Sequence, residues 1–120
     1  MKKITILVPA DNEEESLPFL YERVSKIMNE VKDYEFELLF VNDGSKDNTL
    51  NEIKKLREQD KRVCYGDFSR NFGKEIGMIA GLDYATGDCV IIMDADLQDP
   101  PELIPEMIKL WEQGYDDVYA

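Results

Sequence analysis

The sequence predicts an α/β domain built on a mostly parallel sheet with helices on both faces, and three observations carry that reading. Short apolar runs alternate with longer stretches whose apolar residues recur at three- and four-residue spacing, the mark of strands alternating with amphipathic helices. The runs KITILVP (3–9), FELLFV (36–41) and CVIIM (89–93) are close to continuously apolar, as strands covered on both sides are. Finally, 120 residues make one domain, 1–120, large enough for a genuine core.

Taken in order, residues 3–9 form the first strand, followed by the acidic loop Ala10-Asp11-Asn12-Glu13-Glu14-Glu15-Ser16. Leu17, Leu20, Val24, Ile27, Met28 and Val31 then recur at helical spacing, which predicts a helix over 17–31. A second strand over 36–41 ends in Asn42-Asp43-Gly44-Ser45. The next helix spans 49–59 with Leu50, Ile53 and Leu56 inward, and Ser45 or Asp47 is placed to cap it. Residues 62–66 make a short third strand, 67–72 a loop and 73–85 a helix. Thr86-Gly87-Asp88 turns the chain into a fourth strand over 89–93. A helix over 101–113 buries Leu103, Ile104, Met107, Ile108 and Trp111, and Gly114 ends it. Residues 115–120 begin a fifth strand. Such alternation implies right-handed βαβ units. The polar loops at 11–15, 42–45, 67–71 and 94–99 then gather on one rim, at the carboxyl ends of the strands where such sheets bind ligands.

Composition removes several function classes. The apolar fraction of 43% and charged fraction of 33% are those of a soluble globular chain. A net charge of −12 argues against binding a nucleic-acid backbone or adhering unaided to an anionic membrane. No stretch has the length of a membrane span, and the first residues do not resemble a signal peptide, so the expected compartment is the cytoplasm. The absence of histidine excludes imidazole bases and imidazole zinc sites. Cys64 and Cys89 lie in separate apolar runs and are expected as buried free thiols.

The rim carries the chemistry. Asp94 and Asp96 point the same way from an extended segment while Ala95 points the other. Paired carboxylates repel unless a cation lies between them, and with the oxygen of Gln98 they suit Mg²⁺ or Mn²⁺, whose open positions take substrate phosphates. Asp99, before Pro100-Pro101, reads as a cap for the next helix. Asp43 is either a turn residue before Gly44 or an acceptor for a base N–H or ribose hydroxyl. Gly73 opens a helix beside Arg70 and Lys74, an arrangement suited to phosphate or base oxygens. Gly77 and Gly81 serve close helix–sheet packing. Neither a P-loop nor a G-x-G-x-x-G is present.

Four motifs resemble those of family 2 glycosyltransferases. They are Val8-Pro9-Ala10 with Asn12-Glu13-Glu14, then Val41-Asn42-Asp43-Gly44-Ser45, Ser69-Arg70-Asn71-Phe72-Gly73-Lys74-Glu75, and Met93-Asp94-Ala95-Asp96-Leu97-Gln98-Asp99-Pro100-Pro101-Glu102. More narrowly, they are similar to bacterial polyprenyl-phosphate glycosyltransferases related to dolichol-phosphate mannose synthase. The resemblance implies a GT-A (Rossmann-like) fold and inverting transfer of a sugar from a UDP- or GDP-sugar to a polyprenyl phosphate at the cytoplasmic membrane face. Candidate donors are UDP-glucose, UDP-GlcNAc and GDP-mannose. It implies that Pro9, Ala10, Asn12, Glu13, Asp43 and Lys74, with Gly73 and Ala95, bind the donor. Asp94 and Asp96 become the catalytic Asp-x-Asp pair, with Gln98 a further metal ligand.

Two features depart from that pattern. Asp11 stands where the family usually has Tyr, which costs stacking surface against the base. The chain also stops in the fifth strand, at roughly half the length of a family catalytic domain. It is therefore expected to be the donor-binding half, to transfer little sugar alone, and to self-associate through the open sheet edge. Two alternatives come from other classes. One is a phosphotransferase with an aspartate nucleophile, although that arrangement places its acidic pair after the first strand. The other is a non-enzymatic nucleotide-binding or interaction module.

Overall fold

The computed structural model describes residues 2–10, 14–43, 48–68, 87–93, 101–113 and 118–119. Five strands form one parallel sheet: β1 (Lys3–Pro9), β2 (Glu35–Asp43), β3 (Val63–Phe68), β4 (Cys89–Ile92) and β5 (Val118–Tyr119). Their lateral order is β3-β2-β1-β4-β5. Helix α1 (Leu17–Glu30) joins β1 to β2, and α2 (Thr49–Gln59) joins β2 to β3. A 3₁₀ turn η1 (Pro101–Leu103) leads into α3 (Ile104–Glu112), ahead of β5. The helix expected over 73–85 lies outside the described residues, as do Gly114 and most of the fifth-strand segment.

Register shows why the strands must be apolar on both sides. Ile4, Ile6 and Val8 of β1 stand opposite Phe36, Leu38 and Phe40 of β2, and Ile4 and Ile6 stand opposite Cys89 and Ile91 of β4. Paired residues of parallel strands share a face, so these make one apolar layer, and α1, α2 and α3 all pack on it. Leu17, Leu20, Val24, Ile53, Ile104, Met107 and Ile108 complete that core. Leu7, Leu39 and Val41 form a smaller buried cluster on the opposite face. The centre of the sheet is thus covered on both sides.

Local departures from the expected elements have local causes. Thr49, not Leu50, takes the buried position at the start of α2. Asn48 holds the N-cap position without a side-chain cap hydrogen bond, its Oδ1 accepting from Asn51 Nδ2 at 2.6 Å, while Ser45 and Asp47 lie outside the described residues. Leu103 is exposed because the chain enters the last helix through η1, which turns it out of the apolar stripe. Pro101 at the first residue of η1 and Pro105 in the first turn of α3 suit these starts, because the N–H that each lacks would have no intrahelical partner there. Val31 and Trp111 are half-buried at the margin of the core. Cys89 is buried and Cys64 half-buried, and both are free thiols whose pKa values burial pushes up.

Candidate functional site

Because every strand runs the same way, Pro9, Asp43, Phe68 and Ile92 end their strands on one edge. The chain steps outward from β1 to β2 and β3, then returns to the other side of β1 for β4. The reversal of direction therefore falls between β1 and β4. Connections leaving neighbouring strands in opposite directions make this the topological switch point, the preferred ligand position in doubly wound sheets.

Backbone contacts fix what borders that switch point. Pro9 ends β1 half-buried, and Ala10 follows it fully buried. The Ala10 N–H donates to the Val41 carbonyl at 2.9 Å, tying the exit of β1 to β2. On the other side the Met93 N–H donates to the Leu7 carbonyl at 3.0 Å, and Met93 is 1% exposed. The chain is thus held against β1 up to the residue that precedes Asp94 in sequence. Asp43 is the last residue of β2, in register with Phe68.

Of the residues singled out from sequence, the structure brings Pro9, Ala10 and the Asp43 backbone to this rim. Asn12, Glu13, Gly73, Lys74, Asp94, Ala95, Asp96 and Gln98 lie outside the described residues, together with Asp11. Among the described residues no group of three or more His, Cys, Asp or Glu could hold a metal ion. None of the described helices is long and apolar enough to cross a membrane.

Strong electrostatic perturbation lies at the opposite, amino edge. Asp60, just before β3, accepts from Arg62 Nη2 at 2.7 Å and from the Tyr21 hydroxyl at 2.8 Å. The Arg62 hydrogen bonds, outweighing the effect of burial, lower its pKa to about 2. The Tyr21 hydroxyl is pushed up by burial and by Asp60, and Arg62 is raised by Asp60. Each polar group in this cluster has its partner within the fold, which marks it as scaffold. A cavity of ≈ 240 Å³ between α1 and η1 contains no strand-end residue, and its Arg23 and Glu102 pair with each other.

Sequence reasoning passed over two polar residues that the structure joins. Thr5 and Glu37 are buried within β1 and β2, and the Thr5 hydroxyl meets the Gly87 N–H. The available signal was a lone polar residue inside each of two apolar strands, and a glycine just before a third.

Comparisons with known proteins agree with this architecture. A family model described as glycosyl transferase family 2 matches residues 5–120. The prophage bactoprenol glucosyl transferase homolog of Escherichia coli (strain K12) is 50% identical over 118 residues, covering 98% of this chain and 38% of that protein. The chain therefore spans a little over a third of the length of such curated relatives. Among solved structures, S. aureus TarS 1-349 in complex with UDP superposes with a TM-score of 0.67 at 26% identity, over 88% of this chain and 33% of that one. The mannosyltransferase PcManGT from Pyrobaculum calidifontis, in complex with GDP-Man and Mn²⁺, gives 0.63 at 25% identity, over 82% and 33%. A match to the family model over nearly its whole length, on a parallel sheet whose strand order switches between β1 and β4, places this chain in glycosyl transferase family 2.

Proposed function

We propose that this chain forms the donor and metal site of an inverting glycosyltransferase that moves a sugar from a nucleotide-sugar to a polyprenyl phosphate. The observation that carries the reading is the topological switch point between β1 and β4. Pro9-Ala10 leaves the sheet on one side of it and Met93 on the other, and the sequence continues from Met93 directly into Asp94-Ala95-Asp96. Pro9, Ala10, Asn12, Glu13, Asp43, Gly73 and Lys74 are assigned to the donor in this reading, with Asp94, Ala95 and Asp96 at its diphosphate.

The donor set fits a hard divalent cation. Asp94, Asp96 and Gln98 offer only oxygen within five residues, matching Mg²⁺ or Mn²⁺ and not a thiolate-seeking metal. When bound, such an ion supplies positive charge against the diphosphate as it leaves. The rim residues hold the donor so that an acceptor phosphate oxygen approaches the anomeric carbon from the face opposite the diphosphate. The new C–O bond forms as the old one breaks, and its electron pair departs with the nucleotide. A phosphate acceptor is largely ionised near neutral pH, so positioning contributes more than a base. The relative named for bactoprenol glucosyl transfer supports a polyprenyl phosphate acceptor, and in this reading the whole protein works at a membrane surface. The structures holding UDP and GDP-Man with Mn²⁺ support the donor class and the metal.

Calorimetry of UDP-glucose, UDP-GlcNAc and GDP-mannose, each with and without Mn²⁺, tests this on the wild-type chain and on Asp96→Ala. One donor is expected to bind the wild type more tightly with Mn²⁺, and Asp96→Ala to lose that gain. Equal binding by both forms would remove the metal role.

A further inference from the structure

We infer that a buried polar relay, Lys3–Glu37–Thr5–Gly87, sets the register of β4 against β1 and so fixes where the chain leaves the sheet toward Asp94. The inference rests on the donor-site reading for its functional half and on packing alone for its structural half. Burial does not choose this register. Ile4, Ile6, Leu7 and Val8 of β1 are apolar on both faces, as are Cys89, Val90, Ile91 and Ile92 of β4. Where one face is polar, a one-residue slip exposes the apolar set and is forbidden; where both are apolar, that safeguard is missing. The pairing is also short, from Ile4↔Cys89 to Leu7↔Ile92.

The polar groups at the start of β4 supply the missing specification. The Thr5 hydroxyl, 0% exposed, accepts the Gly87 N–H at 2.9 Å and donates to Glu37 Oε1 at 3.2 Å. Glu37, on β2, is 7% exposed, and its other oxygen lies 3.2 Å from Lys3 Nζ. The relay therefore crosses the three central strands β2, β1 and β4. Two backbone-level bonds reinforce it: the Asp88 N–H donates to the Lys3 carbonyl at 2.7 Å, and the Lys3 N–H to Asp88 Oδ2 at 2.9 Å. Position 87 must be glycine, since a Cβ there would stand 2.5 Å from Thr5 Oγ1 and 2.7 Å from the Thr5 backbone nitrogen.

A slip of one residue would carry the end of β4 about 3.3 Å along β1 and reverse the faces of every residue in it. In the donor-site reading, the face assigned to Asp94 and Asp96 would then be exchanged with that of Ala95. Thr5, Glu37 and Gly87 are thus positioning residues, acting on the acidic pair from the far end of the strand.

The test uses NMR spectra and amide exchange of the isotope-labelled chain as wild type, Thr5→Val and Thr5→Ser, with calorimetry of UDP-glucose with and without Mn²⁺. Thr5→Val is expected to lose the Ile4–Cys89 and Ile6–Ile91 cross-strand contacts and the protection of the Gly87 amide. The β1–β2 contacts should persist, and Thr5→Ser, which keeps the hydroxyl, should retain everything. The Mn²⁺-dependent gain in UDP-glucose affinity should fall by about tenfold or more in Thr5→Val, the scale on which groups that orient a metal's ligands act. Binding without Mn²⁺ should be unchanged, a pattern that lowered stability alone would not produce. If Thr5→Val does not fold, Thr5→Cys, whose sulfur accepts only weakly, decides the question by the same spectra. Native β1–β4 contacts in the variant overturn the inference. Lost contacts with an intact Mn²⁺ gain overturn its functional half. A wild-type chain that binds no nucleotide, beside a variant that loses register, sinks the donor-site reading and leaves the relay standing.

Discussion

The two ends of the sheet differ in how their described residues are held. At the amino edge polar groups are spent on one another: Asp60 with Arg62 and Tyr21, Glu37 with Lys3 and Thr5, and Lys2 Nζ 5.2 Å from the Trp111 ring. Trp111 in turn meets Tyr34 at 6.3 Å, so α3 and the start of β2 close together there. At the carboxyl rim the described contacts are backbone bonds, Ala10 to Val41 and Met93 to Leu7, and the sequence beyond them turns acidic. Groups that satisfy one another hold a fold, whereas groups borne by a rigid edge remain available to a ligand. The same chemical change should therefore be read in stability at one end and in binding at the other.

Matched Asp→Asn substitutions are the sharpest way to break this contrast. Asp94→Asn is expected to cut the Mn²⁺-dependent gain in donor affinity by about 100-fold, the upper end for groups governing a metal site, with little change in the urea midpoint. Asp60→Asn should lose about 2 kcal/mol in urea unfolding, the scale of charge-assisted hydrogen bonds, and leave donor binding intact. Exchanged readouts would mean that the ends have been assigned the wrong way round.

Acid provides a subtler probe of the amino edge. The Asp60 carboxyl is lowered in the fold from 3.8 to about 2, chiefly by Arg62. A depressed carboxylate contributes stability that is complete above its unfolded value and is lost as pH falls through the folded one. Wild-type stability should therefore decline between about pH 4 and pH 2 more steeply than that of Asp60→Asn. Parallel curves would show that Asp60 adds nothing.

The smallest effect belongs to Arg23 and Glu102, which join α1 to η1. Arg23 draws the Glu102 carboxyl below its usual range. Both side chains are exposed, so water and salt screen the pair, and Arg23→Ala should cost about 0.5 kcal/mol or less. A larger loss in thermal unfolding would add this contact to the scaffold.

Much of the fold was legible from periodicity. The helix at 49–59 and the strand at 3–9 have their expected bounds, because a 3.6-residue stripe and an unbroken apolar run each specify one kind of element. Boundaries shifted where a neighbour decided them: β2 and β3 run on to Asp43 and Phe68 because each extends the other's ladder. Leu103 and Leu50 were misassigned because one turn of 3₁₀ helix, or one place in a first helical turn, rotates a side chain off its stripe. Of the four motifs read as the candidate site, the described residues carry Pro9, Ala10 and the Asp43 backbone at strand ends. The buried pair Thr5 and Glu37 was not legible, because a polar residue in a strand looks the same whether its partner is water or another strand.

Local pattern by itself determined which segments become strands and helices, that the strands run parallel, and that acidic loops share one edge. Their lateral order was a tertiary decision. Strands apolar on both faces can pair in several orders at equal burial, and the order β3-β2-β1-β4-β5 emerges only when helices pack and buried polar groups find partners across the sheet. That order puts the topological switch point between β1 and β4, a position that no local pattern encodes.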